Sequence, residues 1–189
     1  MLHSCEGSGV KNKGLSIRGM VYASIFGAIT AAGAYIMIPL PPVPITLQTL
    51  FLYVAAALLG GRLGALSQVV YLLVGLIGLP VFAGGKAGMG VLLGPTGGYL
   101  IGFIAGAYVI GKLVETKRTP GLIWIVFSMV SGTALIYLFG VFQLMIIANL
   151  SMNKAITVGV LPFLIGDALK IVVAAFLTLK VRDRVGIVD

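Results

Sequence analysis

The segment "PLPPVPIT", Pro39–Thr46, interrupts a stretch of 43 residues, Gly19–Gly61, that contains no charged side chain. A helix needs about 20 residues to cross about 30 Å of hydrocarbon, so this stretch is long enough to cross a membrane twice. Four of the six residues from Pro39 to Pro44 are proline, which lacks an amide hydrogen and cannot continue a helix. The stretch therefore predicts two membrane spans separated by a rigid loop.

The rest of the chain shows the same pattern of apolar segments bounded by polar turns. Of its 189 residues, 59% are hydrophobic and only 10% are charged, and the mean hydropathy is +1.13, as expected of a membrane protein. We predict an all-α integral membrane protein with one six-helix domain over residues 17–182, a flexible polar tail over 1–16 and a cytoplasmic tail over 183–189. The predicted spans are Ile17–Ile38, Leu47–Leu59, Leu63–Leu79, Tyr99–Leu113, Leu122–Ile147 and Ala155–Leu179.

The distribution of basic residues predicts the orientation of these six spans. Loops on the cytoplasmic side of a membrane are enriched in lysine and arginine. Placing both termini in the cytoplasm assigns ten of the 13 basic residues to the inside and two, Lys86 and Lys154, to the outside, while Lys170 falls within the sixth span. A model with five or seven spans would lose this bias. The ten are Lys11, Lys13, Arg18, Arg62, Lys112, Lys117, Arg118, Lys180, Arg182 and Arg184.

Several classes of function are excluded by the residues that are missing. The only cysteine, Cys5, and the only histidine, His3, lie in the N-terminal tail, so we expect no metal site, no cofactor and no disulfide framework. No nucleophile has a base within reach, which argues against an enzyme. "GGKAG", Gly84–Gly88, lacks the serine or threonine that follows lysine in a phosphate-binding loop. The basic residues form no patch, which argues against nucleic acid as a partner.

The sixth span contains two charged residues, Asp167 and Lys170, in an apolar setting. Placing a charge at the centre of a membrane helix costs about 2.5–3.5 kcal/mol on insertion scales. Because residues three apart share a helix face, the two side chains either neutralise each other or point together into a polar cavity that receives a ligand. A suitable ligand would carry a hydrogen-bond donor for Asp167 and an anion for Lys170.

Other polar residues, in the predicted spans and in the loops between them, could line the same cavity. The two predicted outer loops, 39–46 and 81–98, are richer in proline and glycine than the inner loops, and the second is long. Long loops in compact domains usually serve a function, so we expect these two to cap the pocket. The polar candidates are Thr46, Gln48, Thr49, Gln68, Tyr71, Thr96, Tyr99, Asn149 and Asn153.

The first span carries small residues at four-residue spacing, Ala23, Gly27 and Ala31, with Ala28 and Ala32 beside them. Small residues at this spacing let helix backbones approach closely within a membrane. The row either packs within the protein's own bundle or docks on a partner membrane protein.

Three stretches together resemble the BioY family, the biotin-specific S components of energy-coupling factor (ECF) transporters. They are "PPVPITLQTLFLYVAAALLGGRLGALSQVVYLLVGLIGLPVFAGG" (Pro41–Gly85), "GPTGGYLIGF" (Gly94–Phe103) and "GDALK" (Gly166–Lys170). The resemblance covers most of the chain from the first span onward. Lys86 departs from it, since it places a charge in a loop that we expect to be small and neutral.

The resemblance implies a six-helix protein of the prokaryotic plasma membrane that binds biotin from outside with high affinity. It also implies partners in the lipid bilayer and the cytoplasm, namely a transmembrane coupling protein and two ATPases. Members of the family are thought to topple in the membrane while they carry substrate inward. Ala23 and Gly27, together with Ala31, would be the residues that dock on the coupling protein.

The resemblance also suggests how biotin would occupy the site. Asp167 would accept hydrogen bonds from the ureido N–H groups, and Lys170 would meet the carboxylate, with Lys86 as the alternative cation for that group. Tyr99, Phe82 and Leu92 would enclose the ring system. Thr46, Gln48 and Gly84 complete the predicted substrate site.

Two other functions compete with this interpretation. An autonomous ion-coupled carrier could use Asp167 as a proton site, although such carriers often contain internal repeats and none is visible here. A membrane enzyme is disfavoured by the missing catalytic residues.

Overall fold

A computed structural model describes residues 16–182, so both predicted tails, apart from Ser16, lie outside the described residues. The described chain is predominantly helical, with one small two-stranded sheet. Five of its helices, α1, α2, α4, α5 and α7, are long and apolar enough to cross a membrane. The elements are α1 (Ile17–Tyr35), β1 (Met37–Ile38), β2 (Ile45–Thr46), α2 (Gln48–Leu76), α3 (Met89–Leu92), α4 (Gly97–Glu115), α5 (Leu122–Ala148), α6 (Met152–Gly159) and α7 (Leu161–Arg182).

The proline-rich segment ends α1, as the sequence predicts, and forms a small hairpin. β1 pairs with β2 antiparallel, with Met37 opposite Thr46, and the prolines lie in the connection between the strands. The Leu47 amide then donates to the carbonyl oxygens of Gly33 and Ile36, which ties the start of α2 to the end of α1. The hairpin is therefore a fixed cap at this end of the bundle.

Helix α2 is folded back on itself at Gly60, whose φ of 82° and ψ of 178° are non-helical. A Cβ built on Gly64 would lie 2.7 Å from the Cα of Ala56, an approach that a straight helix does not allow between residues eight apart. The Glu115 side chain accepts a hydrogen bond from the Gly61 amide at 2.9 Å and so fixes this turn. The first arm of α2 (48–59) and the second arm (61–76) correspond to the second and third predicted spans.

The sixth predicted span, Ala155–Leu179, begins later than expected. The chain breaks at Val160, and α6 is a separate short helix before α7. Pro162 explains the break, because proline is accepted in the first turn of a helix but not in its interior. With α2 counted as two arms, the described helices accommodate six crossings, and the exact number of spans remains a prediction.

The side chains on the outside of the bundle are largely apolar. Ile123 and Ile165 are both 87% exposed, and many other large hydrophobic residues are exposed on α1, α5 and α7. An exposed apolar surface of this extent needs an apolar environment to cover it, and a lipid bilayer provides one.

The two ends of the bundle differ in charge, as the predicted orientation requires. At one end, the Lys112–Glu115 ion pair lies next to the turn of α2, and Arg182 donates to the carbonyl oxygen of Arg118. Of the described basic residues, only Lys86 and Lys154 belong to elements at the opposite end. The membrane sidedness of these ends is still a prediction.

Cysteine labelling tests the sidedness. In a Cys5→Ser background, Asn153→Cys in intact cells should react with an impermeant thiol reagent, and Thr116→Cys should react only after the membrane is opened. Both positions are exposed in the structure, so access to the residue itself does not limit the reaction. Labelling of position 116 in intact cells would show that the predicted orientation in the membrane is wrong.

The row of small residues on α1 that the sequence predicts either to pack within the bundle or to dock on a partner lies against α2 in the structure, and docking itself remains a prediction. Ala23 and Gly27 are buried, and a Cβ built on Gly27 would lie 2.9 Å from the Ser67 carbonyl oxygen in the second arm of α2. Ala31 is half-buried and packs against the same core. This face packs inside the protein because α2 approaches α1 closely at Gly27, which has no side chain. The small residues left exposed on α1 are Ser24, Ala28 and Ala32.

Candidate functional site

A cavity of about 100 Å³ lies at the end of the bundle that carries Lys86 and Lys154, between the first arm of α2 and helices α4, α5 and α7. The loop after β1 and the loop between α2 and α3 contribute to its lining. Six of the eight predicted substrate residues line it, namely Thr46, Gln48, Phe82, Tyr99, Asp167 and Lys170. The fold therefore brings most of the expected side chains together around one cavity. Their contact with a substrate remains a prediction.

Gly84 and Leu92 do not line the cavity, and their predicted contact with a substrate remains a prediction. Gly84 and Gly85 both have positive φ and form a tight turn, in which the Phe82 amide donates to the Lys86 carbonyl oxygen at 3.0 Å. The positive φ of Gly84 therefore explains why the turn needs a glycine there. Leu92 packs beside the core, and its neighbour Val91 faces the cavity instead.

Asp167 and Lys170 form an ion pair within the cavity wall. The Lys170 ammonium lies 2.9 Å from Asp167 Oδ1, and the two side chains are only 9% and 7% exposed. Because the residues are three apart on α7, their side chains leave the same face of the helix. Both possibilities left open by the sequence are therefore realised together: the charges neutralise each other, and the pair also faces a cavity.

Two hydroxyl groups complete the surroundings of this pair. The Thr49 hydroxyl donates to Asp167 Oδ1 at 3.2 Å and accepts from Lys170 Nζ at 3.1 Å. The Tyr137 hydroxyl donates to Asp167 Oδ2 at 2.6 Å. These bonds connect α2, α5 and α7 at one point and fix the position of both charged groups.

The aromatic walls of the cavity rest on glycine residues. The Tyr99 ring lies directly over Gly140 on α5, and its hydroxyl donates to the Gly159 carbonyl oxygen at 2.8 Å. The Phe82 ring lies over Gly75 and packs edge-on against Tyr71, with ring centroids 5.6 Å apart. A side chain at either glycine would occupy the space of the ring, so these glycines determine where the walls stand.

The other polar residues named from the sequence divide into two groups. The Thr46 hydroxyl donates to Gln48 Oε1 at 2.8 Å, and Gln48 Nε2 donates to the Tyr71 hydroxyl. These bonds hold the rim of the cavity at the start of α2, and Thr96 also lines it. Gln68 is buried against Thr30 and Ser67 between α1 and α2, where it contributes to packing. Asn149 and Asn153 do not line the cavity.

Sequence analysis missed several lining residues, most of them aromatic. Tyr53 follows Thr49 by four residues on the first arm of α2, and Tyr137 follows Thr133 by four residues on α5. Such i, i+4 pairs of hydroxyl residues within apolar spans mark one helix face, so this spacing was the available signal. The Tyr53 and Thr133 hydroxyls are 2.7 Å apart. The missed residues on the long helices are Tyr53, Leu100, Phe103, Thr133, Ile136, Tyr137 and Phe163.

Lys86 also lines the cavity, from the loop between α2 and α3. It is exposed and forms no ion pair with any residue between 16 and 182. Its backbone is held by Phe82, and the Gly88 amide donates to the Gly75 carbonyl oxygen at 2.8 Å. The loop is therefore attached to the end of α2, and Lys86 stands at the mouth of the cavity.

Comparison with known proteins identifies the chain. The model of the BioY family matches residues 9–187. The biotin transporter BioY of Thermotoga maritima is 47% identical over 166 residues, which cover 88% of this chain and 96% of that protein. The biotin transporter BioY of Rhizobium etli is 38% identical over 173 residues, covering 86% and 92% of the two chains.

A solved structure agrees with these relatives. The crystal structure at 2.1 Å of the S-component for biotin from an ECF-type ABC transporter has a TM-score of 0.82 and 26% sequence identity to this chain. The match covers 89% of this chain and 92% of the other. These matches confirm the predicted S-component-like fold, and with the long apolar helices they confirm a multi-pass prokaryotic membrane protein. The chain belongs to the BioY family.

Proposed function

We propose that this chain is the biotin-binding S component of an ECF-type transporter and that it captures biotin from outside the cell. The observation that carries the proposal is the buried Asp167–Lys170 pair, which faces a cavity with aromatic walls. Intramembrane ionisable residues mark substrate sites because their burial is costly. The ligand is suggested by the BioY relatives, which are named biotin transporters.

The chemistry of biotin matches the two kinds of surface in the cavity. Its ureido group offers two N–H donors and a carbonyl acceptor, and Asp167, Lys170, Thr49 and Tyr137 offer complementary groups. Its fused ring is apolar and suits the walls formed by aromatic side chains. Binding sites of this kind are mostly apolar and contain a few polar groups that fix the orientation of the ligand.

The chain works with partner subunits in this proposal. A transmembrane coupling protein and two cytoplasmic ATPases would supply the energy for transport, and this chain would not itself be an enzyme. Its sequence supports this division, because "GGKAG" lacks the residues of a phosphate-binding loop.

The exposed row Ser24, Ala28 and Ala32 of α1 is the surface that we assign to the coupling protein. The buried side of α1 is occupied by α2, whereas this row faces outward. The Ser24 hydroxyl donates to the Met20 carbonyl oxygen at 3.0 Å, so it brings no unpaired donor into the contact. Small residues at four-residue spacing allow a second helix to approach closely in a membrane.

A tryptophan at Ala28 should block assembly and leave the substrate site intact. Ala28→Trp is expected to abolish biotin uptake and co-purification with the coupling protein, while biotin binding by the isolated S component changes less than about twofold, within the usual effect of an exposed substitution. Ile165→Trp on α7 is the control, because Ile165 is 87% exposed on another face. Normal biotin uptake by Ala28→Trp would show that this row does not contact the coupling protein.

Uptake of labelled biotin tests the proposed dependence on ATPases. Cells that contain this chain with active partner ATPases should accumulate biotin, and cells whose ATPases carry an inactivating substitution should not. An autonomous carrier, the second candidate, would accumulate biotin in both. The closed network around Asp167, with bonds from Lys170, Thr49 and Tyr137, favours a binding site over a freely exchanging proton site.

A further inference from the structure

We propose that a groove between α5 and α6 binds one acyl chain of an anionic phospholipid and that Lys154 binds the phosphate of the same lipid. The groove opens on the outside of the bundle and has a volume of about 360 Å³. It shares a single lining residue, Tyr137, with the cavity at Asp167. The proposed lipid site is therefore separate from the proposed substrate site and does not depend on the identity of the substrate.

The length of the groove matches one leaflet of a bilayer. Its lining on α5 extends from Ala134 to Met145, eleven residues that cover about 16 Å at 1.5 Å per residue. One half of a hydrocarbon layer of about 30 Å is about 15 Å. Because Met145 lies in the last turn of α5, the groove runs from the end of that helix to the middle of the span. An acyl chain that lies alongside α5 would fill it from end to end.

The short helix α6 forms the other wall of the groove, because the chain breaks at Val160. Met152, Ile156 and Val160 are four residues apart, so their side chains lie on one side of α6 and line the groove. The buried residues of α6, Ala155 and Gly159, lie on another side. The helix thus packs against the bundle with its small residues and leaves its larger apolar side chains to the groove.

The lining of the groove is apolar and open to the membrane. Leu138, Phe142 and Met152 are 63%, 66% and 55% exposed. The Tyr137 hydroxyl donates to Asp167 Oδ2 at 2.6 Å, so this polar group is already paired. The two methionines of the groove have unbranched side chains that adapt to a flexible neighbour. The groove therefore suits a hydrocarbon chain and not a polar ligand.

A transmembrane helix of a partner protein fits this groove less well than a lipid does. A helix with its side chains is about 10 Å wide and crosses both leaflets, whereas the groove extends over one leaflet. A phospholipid has a chain of the matching length with a charged group at one end. The protein offers a complementary charge at one end of the groove.

Polar residues surround the end of the groove that contains Met152. Lys154 lies in the first turn of α6, is exposed, and forms no ion pair with any residue between 16 and 182. Asn149 and Asn153 are also exposed there. Within the described chain, Ser151 makes no side-chain cap hydrogen bond, so the first amides of α6 remain open to an anion. A phosphate at this position would meet a positive charge at the level of the lipid headgroups.

Native mass spectrometry of the purified full chain with added lipid tests the site. The wild type, stripped of lipid and titrated with phosphatidylglycerol, should bind one molecule more tightly than any further molecule. It should prefer phosphatidylglycerol to phosphatidylethanolamine of the same acyl chains about fivefold, as expected for an exposed ion pair, because only the first lipid has a net negative charge. Lys154→Gln should keep the first bound molecule and lose this preference, and Lys154→Arg should retain it.

Filling the groove should remove the first molecule of either lipid. Ala134→Phe places a ring at an exposed position at the inner end of the groove and should weaken the first binding step by about tenfold or more. Leu138→Trp narrows the groove from a second exposed position and should give the same loss, so the test does not depend on the folding of one variant.

Two substitutions outside the groove provide matched controls. Val173→Phe adds a ring on α7 at a position that is 40% exposed and does not line the groove. Lys86→Gln removes the other lysine at the same end of the bundle. Both variants should bind both lipids like the wild type.

Three results would decide against the proposal. Equal affinity of the wild type, Ala134→Phe and Leu138→Trp for the first lipid would exclude the groove as the site of the acyl chain. An unchanged preference for phosphatidylglycerol in Lys154→Gln would exclude Lys154 as the ligand of the phosphate. A wild-type dimer in the same spectra that Ala134→Phe loses, with no preferred lipid on either protein, would show that a second copy of the chain occupies the groove.

Discussion

Replacing Asp167 and Lys170 together by leucine should give a protein that folds but has lost at least about a hundredfold in biotin affinity. The loss follows from two charge-assisted hydrogen bonds to the ligand, each worth roughly 1.5–3 kcal/mol. Folding should survive because replacing a buried ion pair by apolar side chains is often neutral or stabilising. Thermal unfolding in detergent and equilibrium binding measure the two effects separately.

Asp167→Leu alone should lower the stability of the protein, unlike the double variant Asp167→Leu/Lys170→Leu. Asp167→Leu leaves the Lys170 ammonium buried without its counterion, and breaking a buried pair in this way typically costs 3–5 kcal/mol, so we expect about that loss of stability. If Asp167→Leu/Lys170→Leu instead binds biotin like the wild type, the pair serves only to neutralise itself.

Gly140→Leu should damage both the stability of the protein and the aromatic wall of the cavity. A side chain at this position occupies the space of the Tyr99 ring, which would move into the cavity and lose its bond to the Gly159 carbonyl oxygen. Overpacking of this kind costs about 1–3 kcal/mol. We expect biotin affinity to fall by about tenfold or more, since the displaced ring competes for the ligand's space.

Two further variants test whether the Tyr99 ring is the cause. Gly90→Ala, at a position where an added Cβ meets no atom within 4 Å, should leave both stability and binding unchanged. Adding Tyr99→Ala to Gly140→Leu should recover part of the stability, because the two side chains no longer compete for one space. Equal stability of the single and double variants would show that the clash lies elsewhere.

Much of the fold could be predicted because it depends on features that lie along the chain. Charge-free segments predict where helices cross hydrocarbon, and the prolines from Pro39 to Pro44 predict where α1 ends. The gap at residues 60–62 between the second and third predicted spans coincides with the turn at Gly60. The break before Pro162 was missed, because an apolar segment on both sides of a proline has the hydropathy of one span.

The choice between the two small-residue rows of α1 shows what the sequence leaves open. Ala23 and Gly27 on one row, and Ala28 and Ala32 on the next, have similar spacing and size. Only the position of α2 decides which row is buried, and the structure places the second arm of α2 against Gly27. The structure therefore favours packing of Ala23 and Gly27 within the protein's own bundle, and the face of α1 that docks on a partner remains a prediction.

The site was predicted in part for a similar reason. Asp167 and Lys170 stand out because charge is rare within apolar spans, whereas Tyr137 resembles any other aromatic residue of a membrane helix. Its importance depends on α5 lying opposite α7, where its hydroxyl reaches Asp167. That neighbourhood is a property of the folded bundle.

Equilibrium binding of radiolabelled biotin to the purified wild-type chain in lipid nanodiscs tests the central claim most directly. The protein should show saturable binding that unlabelled biotin displaces and that thiamine and riboflavin do not, and Asp167→Leu/Lys170→Leu should show none at the same concentrations. Absence of saturable biotin binding by the wild type, or full displacement by thiamine or riboflavin, would contradict it.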